Sequence, residues 1–129
     1  MHVLCIDDEA ISRRVIREVL RTADITVTEA PDAETGLALL DTLTFDLVLM
    51  DLRMPGMDGL SAIRTIRARR DAIASAPVIL ITADTSEDLT ARSAAAGANA
   101  MVHKPVDMRG LFDAIAEVMY GGLSAATLS

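Results

Sequence analysis

Five short apolar runs, each followed by a stretch in which apolar residues return every three or four positions, leave this chain few folds to choose from. The runs are HVLCI (2–6), ITVTEA (25–30), LVLM (47–50), VILIT (78–82) and AMVH (100–103). Runs of this length suit strands, and the segments between them carry the longer helical period. Ile11, Val15, Val19 and Ala23 recur every fourth residue as one helix face. Ala33, Leu37 and Leu40 do the same in the second segment, and Leu60, Ile63 and Ile66 in the third. The fourth, SEDLTARSAAAG, has a thin apolar face, acidic residues near its start and Gly97 as a C-terminal stop. The fifth carries Leu111, Ile115, Val118 and Met119. Strict alternation of strand and helix predicts a single doubly wound α/β domain, (βα)5, its parallel sheet covered on both faces.

Strand order follows from the character of the runs. The first, third and fourth are continuously apolar, as strands buried on both faces must be. The second alternates Ile25, Thr26, Val27, Thr28 and the fifth is short, so these two belong at the edges. With right-handed crossovers the order is 2-1-3-4-5. Winding then reverses between strands 1 and 3, and a ligand is expected at the carboxyl ends of the strands beside that reversal.

Composition sets the outer limits. A chain of 129 residues builds one core and not two, and with 51% hydrophobic but only 2% aromatic residues that core is aliphatic. The expected domain covers 1–120, with GGLSAATLS (121–129) as a flexible tail or the start of a linker. A net charge of −7 argues against a nucleic-acid surface. The lone Cys5, inside an apolar run, reads as an inert core thiol and fits a reducing, cytoplasmic location. No apolar stretch approaches the roughly 20 residues of a membrane span, so no membrane partner is expected.

The strand ends carry the chemistry. Asp7 and Asp8 end the first run, Asp51 the third, Thr82 the fourth, and Lys104, followed by Pro105, the fifth. Singly, each has an ordinary explanation: a turn or helix cap, a β-favouring threonine, a solvated edge lysine. Their convergence on one rim of the sheet is harder to explain that way. Lys104 is also the only lysine, the other eleven basic residues being arginines, which points to a need for a compact ammonium.

Two carboxylates ~4 Å apart repel by about 4 kcal/mol at an effective dielectric near 20, so three of them call for a multivalent cation as well as the lysine. An all-oxygen site with room for water suits Mg²⁺, and no Cys or His cluster offers a softer metal a home. His2 and His103 read as structural or surface residues. A phosphoryl group arriving on a carboxylate would find cation, ammonium and hydroxyl as ligands for its oxygens. Asp51, central and alone on its strand end, is the best acceptor. Arg53 and Asp84 would both rim this pocket. They read either as a pair across its mouth that slows hydrolytic water, or as an exposed pair of little consequence.

CIDDEAISRRVIREVL, DLVLMDLRMPGMDGL, PVILITA and AAGANAMVHKPV, in this order, resemble the successive motifs of receiver domains of two-component response regulators, over about residues 2–120. The resemblance implies a flavodoxin-like fold and a phosphorylation-controlled switch in a two-component system or phosphorelay. It implies that Asp51 accepts phosphoryl from a phosphohistidine on a sensor histidine kinase or a histidine phosphotransfer protein. Asp8 and Asp51 would bind Mg²⁺ (or Mn²⁺) directly, with the backbone carbonyl of Arg53, and Asp7 through water. Thr82 and Lys104 would bind phosphoryl oxygens, Thr82 would start a switch, and the Lys104–Pro105 peptide would be cis. A changed helix 4–strand 5–helix 5 face would then bind a downstream protein or a second copy.

Met101 stands where the family commonly has an aromatic switch residue, and reads equally as a gap-filling relay or as ordinary packing. The TADTSED stretch and the RARRDAIASAP loop look closest to receivers of hybrid kinases and phosphorelays. Ile11 and Arg14 would lie beside the pocket mouth, where a partner helix bearing phosphohistidine could dock; the other reading of Ile11 is core. Arg64, Arg67, Arg69 and Arg70 read as a solvated helix end. Two other functions compete: a Mg²⁺-dependent aspartate-nucleophile phosphatase, although the D-x-D pair usual there is absent after Asp51, and a phosphorylation-independent interaction module.

Overall fold

The computed structural model describes residues 1–121, and in it each of the five apolar runs is a strand. The strands are β1 (His2–Ile6), β2 (Thr26–Ala30), β3 (Leu47–Asp51), β4 (Val78–Thr82) and β5 (Ala100–His103). The helices between and after them are α1 (Ala10–Arg21), α2 (Ala33–Leu40), α3 (Gly59–Arg67), α4 (Leu89–Ala96) and α5 (Met108–Tyr120), with one 3₁₀ turn at Ala72–Ser75. The sheet is parallel, in the order β2-β1-β3-β4-β5. The tail expected over 121–129 lies, from residue 122 on, outside the described residues.

Alternation along the strands divides the core into two layers, one on each face of the sheet. Val3, Cys5, Leu47, Leu49, Ile79 and Ile81 face α1 and α5, meeting Ile16, Leu20, Leu111 and Ile115. Leu4, Ile6, Val48, Met50, Val78 and Leu80 face the other way, onto Leu40, Ile63, Ile66 and Leu89 of α2, α3 and α4. β3 and β4 are buried throughout, whereas β2 and β5 keep exposed positions, as edge strands do. Each large aliphatic side chain buried in this way contributes about 1.5–3 kcal/mol.

α1 corrects one expectation. Its buried residues are Ile16 and Leu20, while Ile11 is 80% and Val15 41% exposed. α1 carries two apolar rows at four-residue spacing, and the sheet took the shorter one. A second correction concerns the arginines in and just after the last turn of α3. Arg67 is not solvated: it donates to the carbonyls of Ala74, Ala76 and Gly97 and to Asn99 Oδ1 at 2.7–3.0 Å. Arg69 bridges Asp41 and Asp71 at 2.8 and 2.9 Å. Gly97 ends α4 at φ +109°, the left-handed conformation that glycine adopts freely. His2 is structural, its ring pairing with Thr28 Oγ1 at 2.6 Å and packing on Phe45.

Candidate functional site

Parallel register assembles the site. Ile6 pairs with Met50 and Asp51 with Ile81, so Asp7, Asp51 and Thr82 stand on adjacent strand ends. Lys104 follows β5, and its backbone N–H donates to the Thr82 carbonyl at 2.8 Å. The Lys104–Pro105 peptide is cis. α3 begins hard against this end of the sheet: a Cβ on Gly59 would stand 2.3 Å from the Asp51 carbonyl oxygen, so only glycine fits.

The carboxylates differ in setting. Asp7 is 1% and Asp51 5% exposed, whereas Asp8 and Glu9 lie open to solvent. One oxygen from each of Asp7, Asp8, Glu9 and Asp51 falls within 4.8 Å of the others. Lys104 Nζ sits among them, 2.8 Å from Glu9 Oε1, 3.2 Å from Asp7 Oδ2 and 3.4 Å from Asp51 Oδ1. Asp7 Oδ1 accepts the Glu9 N–H at 2.9 Å, whereas buried Asp7 Oδ2 has no hydrogen-bond partner among the described residues and only the Lys104 ammonium 3.2 Å away. One ammonium thus faces four carboxylates, a set that attracts a further cation.

Ionisation reflects this imbalance. Burial and the Asp7 charge push the Asp51 carboxyl up to about 7, against the pull of Lys104. Burial alone would lower Lys104, but the Glu9 hydrogen bond and the Asp51 and Asp7 charges hold it well above its ordinary value. Cys5, behind the site, is pushed up to about 12 by burial and then by Asp7, so its thiol is neutral and unreactive.

A cleft of about 310 Å³ opens over Asp51, lined also by Glu9, Arg53, Thr82, Ala83, Asp84 and Lys104. Thr82 Oγ1 accepts the Asp84 N–H at 2.9 Å, which leaves its hydroxyl hydrogen for another acceptor. Arg53 does pair with Asp84 across the mouth, at 2.6 Å. The hydrogen bonds of Ser86, then Arg53, hold Asp84 down at about 2. Asp7, Asp8, Asp51, Thr82 and Lys104 therefore come together. Met101 does not line this cleft; it packs against the core of the α2–α4 face. His103 is exposed on β5.

Two contributors went unread in the sequence. Glu9 enters the site only through the reach of Lys104, and the third consecutive acid in IDDEA was the available signal. Arg13 donates to the Asp7 carbonyl at 2.6 Å, and one helical arginine among four carries no mark of that in the sequence.

The family described as "Response regulator receiver domain" matches residues 3–116. The chemotaxis protein CheY of Pseudomonas aeruginosa is 35% identical over 119 residues, covering 92% of this chain and 95% of that protein. The sensor histidine kinase AruS of the same organism is 36% identical over 119 residues, again 92% of this chain but 12% of the kinase. The chemotaxis protein CheY4 of Vibrio cholerae superposes with a TM-score of 0.84 at 26% identity, covering 91% of this chain and 97% of that one. The shared architecture is the flavodoxin-like one.

Proposed function

As the chain belongs to the response regulator receiver domain family, whose members are signalling phosphoacceptors, we propose that Asp51 accepts a phosphoryl group from a phosphohistidine. The donor is a sensor histidine kinase or a histidine phosphotransfer protein, and residues 1–120 form the cytoplasmic unit that receives it. An Asp51 carboxylate lone pair forms the new O–P bond as the P–N bond breaks, and that bond's electron pair returns to the imidazole. The observation that carries this reading is Lys104 Nζ held 3.4 Å from Asp51 Oδ1 at the floor of an open cleft. There the ammonium and the Thr82 hydroxyl take two phosphoryl oxygens and neutralise charge as it shifts onto them.

The acidic set fits Mg²⁺. Four oxygen donors lie within 4.8 Å, Asp7 Oδ2 is buried without a hydrogen bond, and hard oxygen ligands suit a hard cation. Asp8, Asp51 and the Arg53 carbonyl would hold the ion, Asp7 through water, with Mn²⁺ able to substitute. When bound, it supplies positive charge to the third phosphoryl oxygen. Thr82, drawn toward the phosphoryl group, gives up its bond from Asp84, and Met101 repacks behind it. The changed α4–β5–α5 face then binds a downstream protein or a second copy. Exposed Ile11 and Val15, with Arg14 beside them, support docking of the partner helix on α1.

Incubation with a small acyl phosphate and Mg²⁺ tests the reading by intact mass. One added phosphoryl group, absent in Asp51→Asn, is expected. Sustained phosphate release at enzymatic rates would make the protein a phosphatase, and an unchanged mass would leave a phosphorylation-independent module.

A further inference from the structure

Arg13 is used unlike any other basic residue near the site. It lies in the first turn of α1, its N–H bonded to the Glu9 carbonyl at 3.0 Å, and its side chain runs back toward the helix start, as helical side chains do. There Nη1 donates to the main-chain carbonyl of Asp7 at 2.6 Å, while Nε donates to Glu29 Oε1 at 3.1 Å. Glu29, on the edge strand β2, also takes Nη1 of Arg17, so Arg13 is held from behind by a carboxylate that is itself held.

The carbonyl that Arg13 grips belongs to the peptide joining Asp7 to Asp8. The rest of Asp7 is also tied: its N–H donates to the Ala30 carbonyl at 3.1 Å, and its Oδ1 accepts from Glu9. Among the described residues, none makes a comparable hydrogen bond to Asp8. The carbonyl that Arg13 holds lies in the same peptide plane as the Asp8 N–H, next to the Asp8 side chain.

We propose that Arg13, braced by Glu29, is a positioning residue for the acidic cluster: by clamping the Asp7 carbonyl it aims the Asp7 and Asp8 carboxylates at one cation. The inference rests on the Mg²⁺ reading above and adds the residue that makes the acidic loop a preformed ligand set. Charge and positioning make opposite demands here. As a charge alone, Arg13 repels a cation, so its removal should tighten Mg²⁺ binding. As a clamp it should weaken binding when lost, by about 10-fold or more, the usual effect of removing a partner that orients metal ligands.

Calorimetric titration of the unphosphorylated protein with MgCl₂ separates the two. Arg13→Ala is expected to raise the Mg²⁺ Kd about 10-fold. Arg13→Lys keeps the charge but lacks the fork that reaches both Asp7 and Glu29, and should fall between Arg13→Ala and the parent. Glu29→Gln should shift Kd in the same direction by less, and Arg17→Ala least. A Kd in Arg13→Ala equal to or tighter than the parent's overturns the proposal. If Arg13→Ala does not fold, Arg13→Lys decides: a parental Kd overturns the proposal, a weaker one supports it. A parent protein that itself fails to bind Mg²⁺ removes the reading beneath, which is a different result from parental binding that Arg13 does not affect.

Discussion

Asp51 is held where its charge is least welcome: burial and the Asp7 carboxylate displace it to about 7, from an ordinary value of 3.8. Because the folded value lies above the unfolded one, the contribution of this group to stability is complete below about pH 4 and is lost as pH rises through about 7. In the absence of divalent cations, Asp51→Asn should therefore stabilise the fold by about 2 kcal/mol at pH 8, with a gap that narrows steadily toward pH 4. Urea unfolding in EDTA at both pH values checks this, and a gap independent of pH would mean that the charge is not the burden described. The convergence of Asp7, Asp51, Thr82 and Lys104 was readable in the sequence because each closes a strand and parallel register does the rest. Glu9 and Arg13 were not, since both lie at the start of a helix and join the site only through the reach of long side chains.

The five helices differ in how their first turns are capped. Asp32, Asp58 and Asp107 each accept a backbone N–H in the first turn of α2, α3 and α5, whereas Glu9 and Asp88 make no such bond for α1 and α4. In α1 the Glu9 carboxylate is spent on Lys104 instead. Asp58→Ala should cost about 1 kcal/mol of stability and Asp88→Ala less than about 0.5 kcal/mol, measured as denaturation midpoints. Equal losses would show that Asp88 caps α4 in solution. Strand bounds were readable within a residue because parallel interior strands are continuous apolar runs. The face of α1 was not, because the Ile11–Val15–Val19 row is longer than the Ile16–Leu20 row that the core uses, and only packing against β1 and β3 separates them. Ile11 remains exposed at the position where the proposed partner would dock.

Viewed across the whole fold, the sheet has one soft end and one stapled end. The carboxyl ends carry the open acidic cleft; at the amino ends of β4 and β5, Arg67 ties α3, the 3₁₀ turn and the α4–β5 connection together through its whole guanidinium. Asn99, one of its acceptors, also takes the N–H of Val78 at the start of β4. Arg67→Ala strips several carbonyls of their donor and should cost about 2–4 kcal/mol by urea unfolding; Arg67→Lys should recover less than half, because an ammonium lacks the planar fork. Full recovery by lysine would reduce the staple to a simple charge. That arginines serve as staples was hidden in the sequence, where a basic helix end looks solvated. The same preference for arginine leaves Lys104 as the one side-chain amine in 129 residues. Acylating agents, reductive methylation and enzymes that conjugate through lysine thus meet a single side-chain target, seated 3.4 Å from the proposed phosphoacceptor Asp51. Under the function proposed above, tagging a lysine and disabling the switch are one event.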